Sequence, residues 1–594
     1  MKTGFLKRFI SFLLILAVVF SLSVTLIGCN SGLDTDDGGN GAATDNSGSG
    51  NGTSDDTLDY DYHDKIKYPL YKDYGRDTVD FDKIEYKTPD FDAVNYEVRA
   101  VISAIEKNEL SFEEQIALIE ALEDDYSNIL TMRTFADIHV SLDSSSEYWT
   151  KEFSYITGSY PLFASIIEDM YVAAANSPHA ERFEAEYFGE GLIEEYKDGG
   201  RFTDELVALF EKEEELEARY TSISSTADTE TLTELFIELI KTRRLIADEL
   251  KYSTYADYAY EALGRDYSSD KASRLLDDIC EYILPTYQVL SYTTLAKYVY
   301  QDSSVKATEI KLEDLINSAR DLVGEVDERF GDIFDYMLQH GLFDVELMEE
   351  GRNTGAFVTY IVDYEAPFLF VSAEGNVTDY PTLLHEFGHF IDAFTNYNSD
   401  ASIDQKEISS QALEYLMLTR LNSVLSASDT LYLRDTQMLN ALMTLIFQGF
   451  YAKAEELIYA LPYDKITKEN LDAEIVKAAK AFSLNTNYIN DVSAIFITHT
   501  FIYPFYVQSY CTSLIPALEI YFMEIENEGS GFEAYKKLID RNGESFTLEE
   551  ALEDAGIASP FKEDIVLELA GKILSYVSTG TLPEKNDAGL GDAA

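Results

Sequence analysis

The sequence of 594 residues carries 108 acidic and only 45 basic side chains, which gives a formal net charge of −63 at pH 7. A protein this acidic repels nucleic acid and anionic lipid, so we exclude a nucleic-acid-binding function. The three cysteines exclude a disulfide framework, and 46% hydrophobic residues are enough for a large core.

The chain begins with basic residues followed by an apolar run from Phe9 to Ile27, which ends at Gly28 and Cys29. This pattern predicts a signal peptide over residues 1–28, and the small residue before Cys29 resembles a bacterial lipobox. Cys29 would then be lipidated and would anchor an extracytoplasmic protein to the bacterial cell membrane. The alternative is a plain transmembrane anchor, because the run is nearly long enough to span a bilayer.

Composition divides the rest of the chain into three parts. Residues 29–58 are rich in Gly, Ser, Asn and Asp, and we predict a flexible tether there. Residues 59–577 contain no repeat and no internal linker and are predicted to form the folded domain, while residues 578–594 form a disordered tail.

Helical signals dominate the folded domain. Ser111 and Thr547 each precede a glutamate by three residues, the pattern of a capping box. An apolar stripe at helical spacing predicts one buried helix face, formed by Leu235, Phe236, Leu239, Ile240 and Ile246. Two short β-type runs, 357–362 and 368–371, predict a small sheet, whose exposed edge could bind an extended peptide or merely pack on the next helix.

The next segment, PTLLHEFGHF at 381–390, has the pattern of a metal site. His385 and His389 are four residues apart, so on a helix both imidazoles reach one small cation. Glu386 is placed to accept a proton from an attacking water rather than to bind the metal. A chance HExxH match is the alternative, but it is improbable in a chain with only seven histidines. Asp379 is predicted to cap the helix, and Pro381 suits its first turn.

A zinc ion needs a third protein ligand, and two glutamates follow on a second predicted helix. The metzincin pattern does not fit, because Thr395 stands six residues past His389. Glu407 and Glu414 are seven residues apart and therefore share one helix face. Either can ligate the metal, but not both, since two helical turns span about 11 Å.

Near the C-terminus, HTFIYPFYVQSY at 499–510 places a histidine and three tyrosines around Pro504, which must break the helix. Tyr506 and Tyr510 are four residues apart and share a face. Together with His499 they could donate hydrogen bonds to the oxyanion that forms during peptide hydrolysis. The alternative is an ordinary aromatic core helix. The other histidines have no metal-ligand spacing and are predicted to be structural or solvent-facing: His63, His139, His179 and His340.

HEFGH at 385–389 and SQALE at 410–414 together resemble the thimet oligopeptidase and oligoendopeptidase F family of zinc metallopeptidases. The resemblance includes the segment RRLIADELKYSTYADYAYEALGRDY at 243–267, the GRNTGAF segment at 351–357 and the His/Tyr segment at 499–510. In the last of these, Gln508 replaces a tyrosine that is usual in the oligoendopeptidase F branch.

The resemblance implies one Zn²⁺ per chain, held by His385, His389 and Glu414, with Glu407 orienting a histidine from outside the ligand set. It implies Glu386 as general base. It also implies His499, Tyr506 and Tyr510 as oxyanion donors. The implied fold is mainly α-helical and two-lobed, with a deep substrate channel and a small β-sheet beside the HExxH helix.

We therefore expect a monomeric, lipid-anchored zinc endopeptidase that hydrolyses short oligopeptides outside the cytoplasm. A first alternative is a zinc carboxypeptidase with the same HExxH and distant glutamate. A second is a peptide-binding lipoprotein that has lost catalysis, and a third is a protein in which zinc is purely structural.

Overall fold

The computed structural model describes residues 80–582, except 190, 198, 201, 224–226, 300–307, 397–400, 542–545 and 581. The predicted signal peptide, Cys29, the tether, His63 and most of the C-terminal tail lie outside the described residues. Those predictions therefore remain predictions.

Helices dominate the described residues, as predicted. The helices before the sheet are α1 Phe91–Lys107, α2 Phe112–Leu142, α3 Glu147–Ala175, α4 Ala180–Arg182, α5 Leu192–Tyr196, α6 Asp204–Ile223, α7 Thr229–Glu249, α8 Tyr255–Ala262, α9 Ser269–Asp278, α10 Leu284–Val299, α11 Leu312–Val326 and α12 Glu328–Gln339. Those after the sheet are α13 Asp379–Thr395, α14 Ile403–Met417, α15 Ala427–Tyr459, α16 Lys468–Ala481, α17 Thr498–Ile502, α18 Val507–Glu526, α19 Ser530–Ile539, α20 Leu548–Ala555 and α21 Ile565–Thr579.

Local sequence rules account for several helix boundaries. Both predicted capping boxes are confirmed, at the starts of α2 and α20. In the first, the Ser111 hydroxyl accepts the Glu114 N–H at 3.3 Å and the Glu114 carboxylate accepts the Ser111 N–H at 2.9 Å. The predicted apolar stripe of α7 is fully buried. No helix of the described part of the chain is both long enough and apolar enough to cross a membrane.

A three-stranded sheet lies directly before α13. Its strand order is β1–β3–β2, with β1 (Phe343–Leu347) parallel and β2 (Ala356–Ile361) antiparallel to the central β3 (Ala366–Ala373). Phe357 stands opposite Phe370, and their rings stack at 4.9 Å between centroids. The two predicted strands are confirmed. Strand β1 was not predicted, because its FDVEL stretch is short and carries two acidic residues.

The turn from β3 into α13 is fixed by Asp379. Its carboxylate accepts the backbone N–H groups of residues 374, 375 and 376 at 2.9, 2.8 and 3.0 Å. The expected capping role is wrong, because Thr378 occupies the cap position and Asp379 binds the preceding turn instead. Helix α13 then lies on the sheet, and its apolar residues Leu384, Phe387 and Ile391 are buried.

Helix α14 packs against α13 on one side and against α18 on the other. The three helices carry most of the chemically active side chains that the sequence analysis singled out. The fold therefore brings segments near residues 385, 407 and 506 into one layer on top of the sheet.

Candidate metal centre

Helices α13 and α14 cross at Gly388. A Cβ atom at this position would stand 2.6 Å from the Cα atom of Ser410 and 2.7 Å from the carbonyl oxygen of Ser409. Only glycine permits so close an approach of the two backbones. Glu407 precedes the crossing point on α14 by about one turn, and Glu414 follows it by about one turn.

We expect Gly388→Ala to destabilise the protein by about 1–3 kcal/mol, because the added methyl group must push α14 away from α13. It should also weaken metal binding, since the ligands of the two helices would separate. Denaturant unfolding and metal competition with a chelator measure the two effects. Gly158→Ala in α3 is the matched control, because no atom lies within 4 Å of its added Cβ. That variant should be as stable as the wild type or more stable by up to about 1 kcal/mol.

The Nε2 atoms of both motif histidines converge on one carboxylate oxygen. Glu407 Oε2 lies 3.8 Å from His385 Nε2 and 3.7 Å from His389 Nε2. The three candidate ligand atoms lie within 4.8 Å of one another. A tetrahedral zinc site with bonds of about 2.0–2.1 Å has ligand-to-ligand distances of roughly 3.4 Å, so the observed spacing fits such an ion with small adjustments.

Glu414 approaches His385 from the opposite side. Its Oε2 lies 3.0 Å from Nδ1 of the imidazole and accepts a hydrogen bond when that nitrogen carries the proton. Glu414 as the zinc ligand and Glu407 as the orienting group stay predictions, although in this geometry Glu407 lies among the candidate ligand atoms and Glu414 contacts Nδ1 of His385. The reason is the helix crossing, which lets two carboxylates on one face reach the two nitrogens of one histidine.

The charges of this cluster are strongly coupled. Burial lowers the pKa of His385, but the hydrogen bond with Glu414 and the surrounding carboxylates outweigh it and raise the pKa to about 9. Burial and the neighbouring His385 hold the pKa of His389 well below its usual value. Burial raises the pKa of Glu407, against the opposing effect of His385. Such an accumulation of buried, mutually interacting ionisable groups is typical of a functional site.

Glu386 is buried beside the cluster. Its Oε2 has no hydrogen-bond partner among the described residues, and the side chain is 3% exposed. Burial raises its pKa to about 8, while His385 acts in the opposite direction. An unpaired buried carboxylate oxygen is costly, so its presence here indicates that a water, an ion or a substrate completes the site.

The His/Tyr segment reaches the same cluster from α17 and α18. As predicted, Pro504 separates the two helices. The Tyr506 hydroxyl donates a hydrogen bond to Glu407 Oε1 at 2.5 Å, and its role as an oxyanion donor stays a prediction. His499 Nε2 and the Tyr510 hydroxyl are 3.2 Å apart, and burial lowers the pKa of His499 to about 4. A neutral imidazole and a phenol thus form one polar pair near the candidate ligands.

The other described histidines lie elsewhere. His139 stacks on Trp149 with 4.2 Å between ring centroids, His179 contacts the ring of Phe112, and His340 pairs with Asp80. Their surroundings agree with the predicted structural role.

Three buried charged residues around the His/Tyr segment had no predicted role: Arg243, Arg265 and Glu455. The two arginines lie at the start and near the end of segment 243–267, which is part of the family resemblance. The resemblance of this segment was the only feature of the sequence that pointed to the two arginines. Their contacts with residues 500–509 join distant parts of the chain.

Two parts of the chain match known protein families. Residues 81–197 match the peptidase M3 N-terminal domain, and residues 321–570 match peptidase family M3. An oligoendopeptidase F homolog from Borreliella burgdorferi is 25% identical over 240 residues, which span 37% of this chain and 40% of that protein. The matches support a metallo-oligopeptidase.

Solved structures show the same fold. A structure described as an oligoendopeptidase F from Bacillus anthracis str. Ames has a TM-score of 0.70 at 20% identity and covers 84% of this chain and 98% of its own. PZ peptidase A with an inhibitor gives a TM-score of 0.67 at 19% identity, over 84% of this chain and 99% of its own. The predicted mainly helical fold with a small sheet is confirmed.

Proposed function

We propose that this chain is a zinc-dependent endopeptidase of short peptides. The premise is that it matches the peptidase M3 N-terminal domain and, further along, peptidase family M3. The observation that carries the proposal is the convergence of two histidine Nε2 atoms and one carboxylate oxygen beside an unpaired buried Glu386. Two imidazoles and one carboxylate form the ligand set of hydrolytic zinc sites that keep a fourth position open.

His385, His389 and Glu407 would hold one zinc ion per chain. Bound there, zinc would act as a Lewis acid that polarises the scissile carbonyl and makes the attacking water more acidic. Glu414 keeps the His385 ring in the orientation that directs Nε2 toward the other ligands, and Tyr506 does the same for the Glu407 carboxylate.

Glu386 supplies the proton transfers. Its free carboxylate oxygen accepts the proton of the attacking water and then delivers it to the leaving amine. His499 and Tyr510 provide N–H and O–H donors for the oxygen of the carbonyl as negative charge develops on it. One such donor is typically worth about 3 kcal/mol in the transition state.

The matched family supports a proposal for the substrate class, and two of the similar proteins are named oligoendopeptidase F. We propose unstructured oligopeptides as substrates, cleaved by a monomer in a channel between two lobes. We also keep the proposal of an extracytoplasmic enzyme anchored through Cys29. Partition of the full chain between membrane and soluble fractions tests the location.

The function is tested by digestion of a ladder of peptides from about five to forty residues, read by mass spectrometry. We expect internal cleavage with a sharp upper limit of substrate length, because a channel admits short chains and excludes folded proteins. A chelator should abolish cleavage, and stoichiometric Zn²⁺ should restore it, because the metal supplies the Lewis acid that polarises the scissile carbonyl.

The same peptides with blocked N- and C-termini are the control. An endopeptidase still cuts them, whereas a carboxypeptidase does not. Absence of cleavage in the zinc-loaded protein would contradict the proposal and favour the peptide-binding alternative. Unfolding on chelation, with no hydrolysis before it, would favour a structural zinc.

A further inference from the structure

The 243–267 segment buries two arginines that the proposed chemistry leaves without a role. Arg243 is 0% exposed and Arg265 is 7% exposed, in a chain with far fewer basic than acidic residues. Burying a guanidinium is energetically unfavourable unless its donors are paired. Both arginines donate to main-chain carbonyls of the segment that carries His499, Tyr506 and Tyr510.

Arg243 holds the part of the segment that follows His499. Its Nη2 donates to the carbonyl oxygen of Phe501, and its Nη1 lies 3.4 Å from that of Thr500 and 3.0 Å from the Tyr459 hydroxyl. The other side of the guanidinium pairs with two carboxylates of α6, Glu213 and Glu217. Arg243 therefore ties the short helix of His499 to α6 and α15.

Arg265 holds the part of the segment that flanks Tyr506. Its Nη2 donates to the carbonyl oxygen of Phe505 at 2.9 Å and to the Ser509 hydroxyl at 2.7 Å. Its Nε lies 3.4 Å from Asp404 Oδ2, in the first turn of α14. Asp404 precedes Glu407 by three residues on α14. The Arg265 guanidinium therefore joins α14 to the turn that carries Tyr506, the hydrogen-bond donor to Glu407.

The turn between the two contacts is strained. Phe505 has φ of +67°, in the left-handed region that residues other than glycine rarely adopt. Its N–H donates to the buried Glu455 Oε1 at 3.1 Å, and its carbonyl accepts from Arg265. Such strain is energetically unfavourable and persists only where the surroundings enforce it. Here buried charged side chains hold both polar main-chain groups of the strained residue.

We propose that Arg243 and Arg265 are positioning residues for the metal centre and the oxyanion donors. Arg243 fixes the position of His499. Arg265 fixes the position of Tyr506. Through Tyr506 and Asp404, Arg265 also fixes the position of Glu407. The inference rests on the proposed function, because it assigns these donors and ligands their catalytic use.

Arg243→Lys and Arg265→Lys test the proposal, because lysine keeps the positive charge but loses the planar fork that reaches several acceptors. Arg265→Lys should weaken zinc binding about tenfold or more, as loss of a group that orients a ligand does, and should lower kcat. Arg243→Lys should lower kcat about ten- to a hundredfold, with KM and zinc affinity within about threefold of wild type, since it acts on an oxyanion donor alone. Zinc affinity is measured on metal-free protein by competition with a chromophoric chelator, without any peptide.

Arg320→Lys is the matched control. Arg320 donates to both carboxylate oxygens of the buried Asp335, between α11 and α12. Its replacement should lower stability without changing zinc affinity or kcat. If Arg265→Lys does not fold, Asp404→Asn removes the same link from the other side and should weaken zinc binding instead.

Zinc affinity and kcat that stay at wild-type levels in both lysine variants would overturn the proposal and leave the arginines as stabilisers of the core. The outcome is separate from the fate of the proposed function. A wild-type chain that binds zinc but cleaves no peptide refutes the peptidase proposal, whereas the effect of Arg265→Lys or Asp404→Asn on zinc affinity still decides the positioning role of Arg265.

Discussion

Replacement of Glu386 by Gln should lower kcat by about a thousandfold or more while zinc binding stays close to that of the wild type. Glutamine has nearly the same shape as glutamate but cannot accept the proton of the attacking water. General-base catalysis contributes typically about 10²–10⁴-fold, and here the same carboxylate also has to protonate the leaving amine.

The structure gives two reasons for this separation of effects. Glu386 Oε2 has no partner among the described residues, so the substitution breaks no hydrogen bond of that atom there. The carboxylate also lies outside the group of three convergent ligand atoms, so the metal keeps its protein ligands. A loss of kcat at constant zinc affinity would therefore report on proton transfer and not on the integrity of the site.

The measurement is steady-state hydrolysis of a blocked peptide together with zinc competition. Glu168→Gln is the matched control, because Glu168 is a buried carboxylate of α3 that accepts the Phe202 N–H at 2.6 Å. It should lose stability and keep kcat. If Glu386→Gln hydrolyses peptide at the wild-type rate, Glu386 is not the base and the proposed reaction is wrong.

The parts of the site that follow from short-range sequence patterns were predictable. The HExxH segment predicted the helix and the convergence of two imidazoles, because residues three and four apart on a helix are neighbours wherever it packs. Pro504 predicted the break between α17 and α18 for a similarly local reason. The capping boxes and the short β-type runs that form β2 and β3 are local signals as well.

The parts that depend on how distant elements meet were not predictable in the same way. The role of Glu407 depends on the crossing of α13 and α14, where Gly388 touches Ser410. Spacing along the chain assigns both glutamates to one helix face and cannot say which of them meets Nε2 of the histidines. The contacts of Arg243 and Arg265 with residues 500–509 join segments more than two hundred residues apart, so no local pattern contains them.

The second large effect is expected at Glu407. We expect Glu407→Gln to weaken zinc binding by more than about a hundredfold and to abolish activity at limiting zinc, because an anionic ligand is replaced by a neutral amide. Glu414→Gln should weaken zinc binding only about ten- to a hundredfold, the range found when a group that orients a ligating histidine is lost. Both variants keep the side-chain shape and lie on the same helix, so each is the control for the other.

The comparison separates two assignments that chain spacing alone cannot distinguish. In the structure, Glu407 Oε2 faces the Nε2 atoms of both histidines at 3.7–3.8 Å, whereas Glu414 meets only Nδ1 of His385. Zinc titration of the metal-free variants with a chromophoric competitor gives the ranking directly. A larger loss of affinity in Glu414→Gln would restore Glu414 as the ligand. It would also mean that the side chains of His385 and Glu414 rearrange when the ion binds, because the Nε2 atoms now face Glu407.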